Sequence, residues 1–287
     1  MRASFLRLLA VAFPFGKPVS TFPGNALGLS VLTLVAATTT ARVASAHDVW
    51  LTTAGPAAAR RVIVNYGHPH DRPPAVADKV LDLAAITREG RVSLLMGLAP
   101  AYVRGALVAQ SRPFADAGRT LLAARYDNGY WVKIADNLYR NVSKRMAPDA
   151  IDSLWSGKFA KAVTGAGAPW DTALGHELEI VPLTDPGAVR VGESLRVRVI
   201  FRGQPLAGAE VERGDGVTPM KEADIPRFKS DGDGIAAIPI VKAGAVLLVI
   251  DHRVTPSGTP DIAAADLFNC TFAFGTTAAS RGARCRP

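Results

Sequence analysis

The sequence predicts a mostly β protein. Three observations carry that expectation. Short apolar runs recur along the chain, broken by turn signals drawn from its 26 glycines and 20 prolines. One stretch, 195–202, places apolar residues at every odd position and arginine at three of the four even ones. Only one segment, near 149–164, repeats its apolar residues at intervals of three and four, the spacing of a helix rather than a strand.

The first 46 residues carry an export signal by their pattern. They contain Arg2, Arg7, Lys17 and Arg42 but no acidic residue, and an apolar run extends from Ala26 to about Thr39. The run is too short for a membrane span, which needs about 20 apolar residues. It ends in Val43-Ala44-Ser45-Ala46, small residues where a signal peptidase requires them. Cleavage after Ala46 would make His47 the first residue of the mature protein and place it in the periplasm. It would also lower the formal charge from +8 to +4, because four of the 33 basic residues and none of the 25 acidic ones precede His47. No basic patch remains, which argues against nucleic acid as a partner.

Between 47 and 170 the runs 49–51, 61–66, 80–86, 92–96, 121–126 and 130–132 read as strands of a β-rich domain. Asp127-Asn128-Gly129 between the last two is a hairpin signal, since Asn-Gly tolerates the positive φ of a tight turn. Ile151, Leu154, Trp155, Phe159, Ala162 and Val163 then follow at helical spacing. With Pro148 before them and Gly165 after, they predict one amphipathic helix over about 149–164, packing one face on the sheet.

A small-residue hinge at 165–169 leads to a second domain over 171–275. In 195–202 the apolar Leu195, Val197, Val199 and Phe201 take one face and Arg196, Arg198 and Arg202 the other, as in a half-buried antiparallel strand. Further strands are expected at 177–183, 209–213, 235–240, 245–252 and 267–274. Six or seven short strands in this length predict an immunoglobulin- or transthyretin-like β-sandwich. The Arg- and Ala-rich end, 276–287, is expected to be a disordered tail. Export permits a disulfide between Cys270 and Cys285, but Cys270 shares a strand face with Phe268, Phe272 and Phe274 and reads as a buried small apolar residue.

Chemistry is most legible in the five histidines, all of them after the signal. After cleavage His47 could chelate a metal through both its α-amine and its ring, because an α-amine with a pKa of about 7.7 to 8 loses its proton at little cost. His68 and His70 lie in Asn65-Tyr-Gly-His-Pro-His-Asp71, a strand running into a Gly and Pro turn. His68 is the stronger candidate, since Gly67 lets backbone approach closely. His252 ends an apolar strand beside Asp251, a carboxylate that could orient it. His176 reads as a packing residue. Asp231-Gly-Asp-Gly234 lacks the downstream glutamate of a calcium loop. No nucleophile elbow, zinc-protease helix, Cys-x-x-Cys or phosphate loop is present, so a non-enzymatic role is expected.

Several blocks together resemble a known family: His47-Asp-Val-Trp-Leu51, Gly67-His68, Gly175-His-Glu-Leu-Glu-Ile-Val-Pro-Leu183, the stretch 198–211 and the stretch 231–240. They are similar to an exported domain-of-unknown-function family, DUF4198, whose members are described as NikK-like accessory proteins of nickel or cobalt uptake. The resemblance implies a periplasmic metal binder or carrier that serves a metal-uptake transporter of the inner or outer membrane. The resemblance carries over His47 and His68 as expected ligands, and the strand-end position of His252 adds it as a third. Nickel or cobalt is favoured, with copper and zinc open, since copper(II) outcompetes nickel for nitrogen ligands. Two alternatives stand beside this expectation: a metal-free structural or interaction module of the cell envelope, and a copper oxidase using the amino-terminal histidine.

Overall fold

The computed structural model describes residues 47–136 and 138–277. The expected signal segment, 1–46, lies outside these residues, as does Cys285. The described residues belong to one compact unit.

The described residues build seventeen strands and a few single-turn 3-10 segments: β1 (Asp48–Ala54), β2 (Arg61–Gly67), β3 (Val80–Thr87), β4 (Gly90–Ser93), β5 (Ala99–Val103), β6 (Ala106–Gln110), β7 (Leu121–Ala135), β8 (Leu138–Arg140), β9 (Asp152–Val163), β10 (Leu178–Pro182), β11 (Ser194–Phe201), β12 (Gln204–Pro205), β13 (Glu210–Gly214), β14 (Arg227–Lys229), β15 (Ile235–Pro239), β16 (Gly244–Val254) and β17 (Ala265–Thr276). A nine-stranded sheet in the order β14-β13-β16-β17-β9-β7-β3-β4, with β8 paired to β7, forms the centre. Within it β17 and β9 run parallel. A sheet ordered β1-β2-β6-β5 covers one face, and β10, β11, β12 and β15 make a third sheet that covers the other.

Each interface is a separate apolar core. Val49, Leu51, Val62 and Val64 pack on Leu83, Leu122, Ala124 and Ala160 of one face. Leu178, Ile180, Leu195, Val197 and Ile238 pack on Phe159, Leu248, Phe268 and Phe272 of the other. The alternation seen in 195–202 is therefore real: Leu195, Val197 and Val199 are fully buried. The boundary expected near 170 separates β9 from β10, yet the central sheet takes strands from both sides of it.

Two expectations are corrected. The segment expected as an amphipathic helix at 149–164 is the strand β9, the middle strand between β17 and β7. Because a layer covers each face of the central sheet, both faces of β9 are buried. Strand alternation between apolar and polar residues therefore has no solvent side to mark it, and the spacing of its large residues imitates a helix. The Asn128-Gly129 signal is not a hairpin: β7 runs straight through it, and the pairing with β9 shifts register between Asp127 and Gly129. Gly129, at φ 81°, supplies the left-handed residue of a β-bulge instead.

At the other end, Thr276 closes β17 and Thr277 bridges Arg190, so these two residues are not part of a disordered tail; the rest of that expectation, 278–287, lies outside the described residues. Cys270 is buried and free, its thiol pushed up to about 12 by burial.

Candidate metal centre

The antiparallel pairing of β1 with β2 places Asp48 opposite Gly67 and Val49 opposite Tyr66. One step further along the same register sets His47 across from His68, residues 21 apart in sequence. Their ring centroids lie 5.2 Å apart. The pair belongs to a longer row of rings. Tyr126 stacks on Tyr66 at 5.6 Å, Tyr66 meets His47 edge-on at 5.2 Å, and His68 stacks on His70 at 5.7 Å.

Turn chemistry fixes the second strand's exit. His68 and Asp71 exchange both backbone hydrogen bonds, at 2.7 and 3.1 Å, closing a tight turn over Pro69 and His70. Gly67 enters that turn at φ 111°, and a Cβ there would come within 2.2 Å of the Asp71 carbonyl oxygen. Gly67→Ala is therefore expected to cost roughly 2–3 kcal/mol in stability, from left-handed strain and backbone collision together. It should also separate the two rings. Chemical denaturation and the loss of nuclear Overhauser contacts between His47 and His68 would measure the two effects; a stable variant with the ring contacts intact would contradict the account.

Each imidazole has a carboxylate beside it. His47 Nε2 lies 3.1 Å from Asp71 Oδ2, and His68 Nδ1 lies 3.6 Å from Asp48 Oδ2. An ionised carboxylate only accepts, so Nε2 of His47 is the nitrogen that carries hydrogen. Burial lowers the pKa of His47, outweighing the hydrogen bond it donates to Asp71, which raises it, and this favours the neutral ring that a metal requires.

Beneath the pair lies a polar row that the central sheet assembles. Successive pairings put Asp251, Asn269, Lys158 and Tyr126 side by side on β16, β17, β9 and β7. Asn269 Nδ2 donates to Asp48 Oδ1 and to Asp251 Oδ1, each at 2.9 Å. Lys158 is 0% exposed, and its Nζ has no hydrogen-bond partner among the described residues. Burial lowers its pKa, against the pull of Asp251 and Asp48, which raise it. A cleft of about 420 Å³ opens beside the histidines, lined by Asp48, His68, His70, Glu212, Leu247 and Val249 among others.

His252 is not brought to this place. It pairs with Phe268, on the opposite face of the central sheet from Asp251, since neighbours on a strand alternate faces. Its ring packs against Phe201 at 4.5 Å, and burial lowers its pKa, with the Arg202 cation nearby adding to the decrease. The carboxylate beside it in sequence, Asp251, is the member that reaches the His47 side. His176 lies buried against Phe159 at 5.3 Å.

The sequence therefore pointed to His47 and His68 but not to Asp48, Asp71, Asn269 or Lys158. Asp71 closes a turn with His68 and could have been found from that spacing. Lys158 was missed because the helical reading of 149–164 rested on the apolar residues alone and gave its lysines no role.

Among the described residues no group of three or more His, Cys, Asp or Glu side chains is arranged to hold a metal ion. Side chains thus provide a pair of imidazoles; a third nitrogen would have to come from the main chain at His47.

Residues 44–254 match the model of a family described as "Domain of unknown function (DUF4198)". An uncharacterized protein of Haemophilus influenzae is 27% identical over 170 residues, covering 59% of this chain and 68% of that protein. Among solved structures, native alpha-2-macroglobulin from Escherichia coli, spanning domains MG0-NIE-MG1, covers 79% of this chain and 72% of its own, at 12% identity and a TM-score of 0.22. The titin domains Z1Z2 in complex with telethonin cover 83% of this chain and all of their own, at 11% identity and a TM-score of 0.17.

Proposed function

The chain belongs to the family of the domain of unknown function DUF4198, and from that premise we propose that it is an exported transition-metal-binding protein whose site is the mature amino terminus. Cleavage after Ala46 would create the α-amine of His47. That amine and Nδ1 of the same ring close a six-membered chelate with a metal, and His68 adds a second imidazole. The observation that carries this reading is the cross-strand placement of His47 and His68, 5.2 Å apart. It is supported by Asp71, which occupies Nε2 of His47 and so turns Nδ1, the nitrogen able to chelate with the amine, toward the metal.

The metal is cargo in this reading. Nickel or cobalt is delivered to a membrane uptake system, as the NikK-like resemblance implies; copper binds nitrogen ligands more tightly, so supply decides the occupant. Residues 171–275, with the sheet of β10, β11 and β15 packed on β13, β16 and β17, are read as the immunoglobulin- or transthyretin-like part of the protein.

The test is nickel(II) titration of the exported protein against two variants: one whose mature chain carries an extra alanine before His47, and His68→Ala. Each should lose roughly tenfold or more in affinity, at least the scale on which even outer partners of metal ligands matter. Equal affinity in all three sinks the site. The metal-free interaction module is favoured by one observation, that among the described residues no group of three His, Cys, Asp or Glu side chains is arranged around a metal. Protein recovered from the periplasm without metal but with a bound partner chain would establish it.

A further inference from the structure

We propose that Asp48, clamped by Asn269 beside the buried Lys158, is the positioning residue of His68: it holds the ring proton on Nδ1 and assigns Nε2 as the nitrogen that faces the metal. The last step rests on the metal-binding reading above; the assignment of the proton does not.

The geometry supplies each link. Asp48 Oδ2 stands 3.6 Å from His68 Nδ1, longer than a hydrogen bond but close enough for charge to choose between a lone pair and an N–H. A carboxylate facing an imidazole lone pair is repelled by it, whereas one facing N–H is attracted, so the proton is drawn to Nδ1. Asp48 is held in place because its other oxygen accepts from Asn269 Nδ2 at 2.9 Å. The same amide nitrogen donates to Asp251, so both of its hydrogens are committed to carboxylates.

Two carboxylates sharing one amide would repel each other. The cation that offsets them is Lys158, adjacent to Asn269 in the pairing of β17 with β9. Its side chain is 0% exposed, and its Nζ makes no hydrogen bond among the described residues. A buried ammonium without a hydrogen-bond partner is costly: burial lowers the Lys158 pKa, while Asp251 and Asp48, the carboxylates beside it, pull the other way. The two histidines would then carry opposite tautomers, because Asp71 approaches Nε2 of His47 while Asp48 approaches Nδ1 of His68.

Ring nitrogen chemical shifts of the ¹⁵N-labelled, metal-free exported protein decide the matter. His68 is expected as the Nδ1–H tautomer and His47 as the Nε2–H tautomer. Asp48→Asn should shift His68 toward a mixture and weaken nickel(II) binding roughly 10- to 100-fold, with Asp48→Glu recovering part of both. A wild-type His68 protonated on Nε2, or an Asp48→Asn variant unchanged in tautomer and affinity, overturns the proposal. Should Asp48→Asn fail to fold, Asn269→Ser, which loosens the clamp without removing the carboxylate, is expected to move the tautomer in the same direction, and no movement counts against it. If the wild type binds no nickel, the metal reading falls while the tautomer still tests the role of Asp48.

Discussion

Glu179→Leu is expected to destabilise the protein by about 3–5 kcal/mol, the scale of stripping one partner from a buried ion pair. Lys161 Nζ lies 2.8 Å from Glu179 Oε1, and both side chains are 1% exposed. Glu179 also accepts from the backbone N–H groups of Leu174 and Gly175, at 2.7 and 3.2 Å, while Lys161 donates to the Thr172 carbonyl at 3.0 Å. The pair thus ties the loop after β9 to β10. Removing the carboxylate leaves a buried ammonium and two amide donors uncompensated. The double variant Lys161→Met, Glu179→Leu should recover much of the loss, since an apolar pair needs no compensation, but not the part due to the two loop amides. Urea unfolding of wild type, single and double variants measures these differences. A single variant within 1 kcal/mol of wild type, a margin typical of exposed pairs, would refute the prediction, as would a double variant no more stable than the single.

The second large effect concerns acid. Burial pushes His176 down to about 4, with Lys161 and Arg125 adding to the decrease and Glu179 opposing it. The unfolded chain, with its histidine near 6.5, binds the proton more readily than the folded one. Stability from this group is thus complete above pH 6.5 and falls as pH drops toward 4, by roughly 3 kcal/mol at pH 4. His176→Leu removes the titration. Unfolding free energies of wild type and variant at pH 7 and pH 4 should therefore differ in their pH dependence by about that amount, with the wild type the more acid-sensitive. Parallel profiles would contradict the burial account. The ring packs at a tilt against Phe159, and its Nδ1 has no partner among the described residues, so protonation has no acceptor there to reward it.

Lys161 and Lys158 show why part of the molecule was illegible beforehand. They are three residues apart on one strand and point to opposite faces, each buried under a different covering sheet. Lysine in the middle of a segment ordinarily signals solvent, and the spacing of Ile151, Leu154, Trp155 and Phe159 taken alone reads as one face of a helix. Only the presence of layers on both sides, contributed by residues distant in sequence, turns those lysines inward. The Asn128-Gly129 bulge is similar: the local chemistry, a residue able to take positive φ, was readable, but whether the chain reverses or continues depends on the twelve-residue β9 beside it.

The sequence by itself determined the β class, most strand positions, the turn at 67–71 and the candidacy of His47 and His68, because periodicity, glycine conformation and residue chemistry are local properties. Tertiary structure decided which histidines share a site. The register of β1 on β2 brings His68 to His47, while the alternation of β16 sends His252 to the opposite face and leaves Asp251 on theirs. Register and layering are set by contacts among strands far apart in the chain, and a one-residue shift in either would exchange every inward side chain for its neighbour.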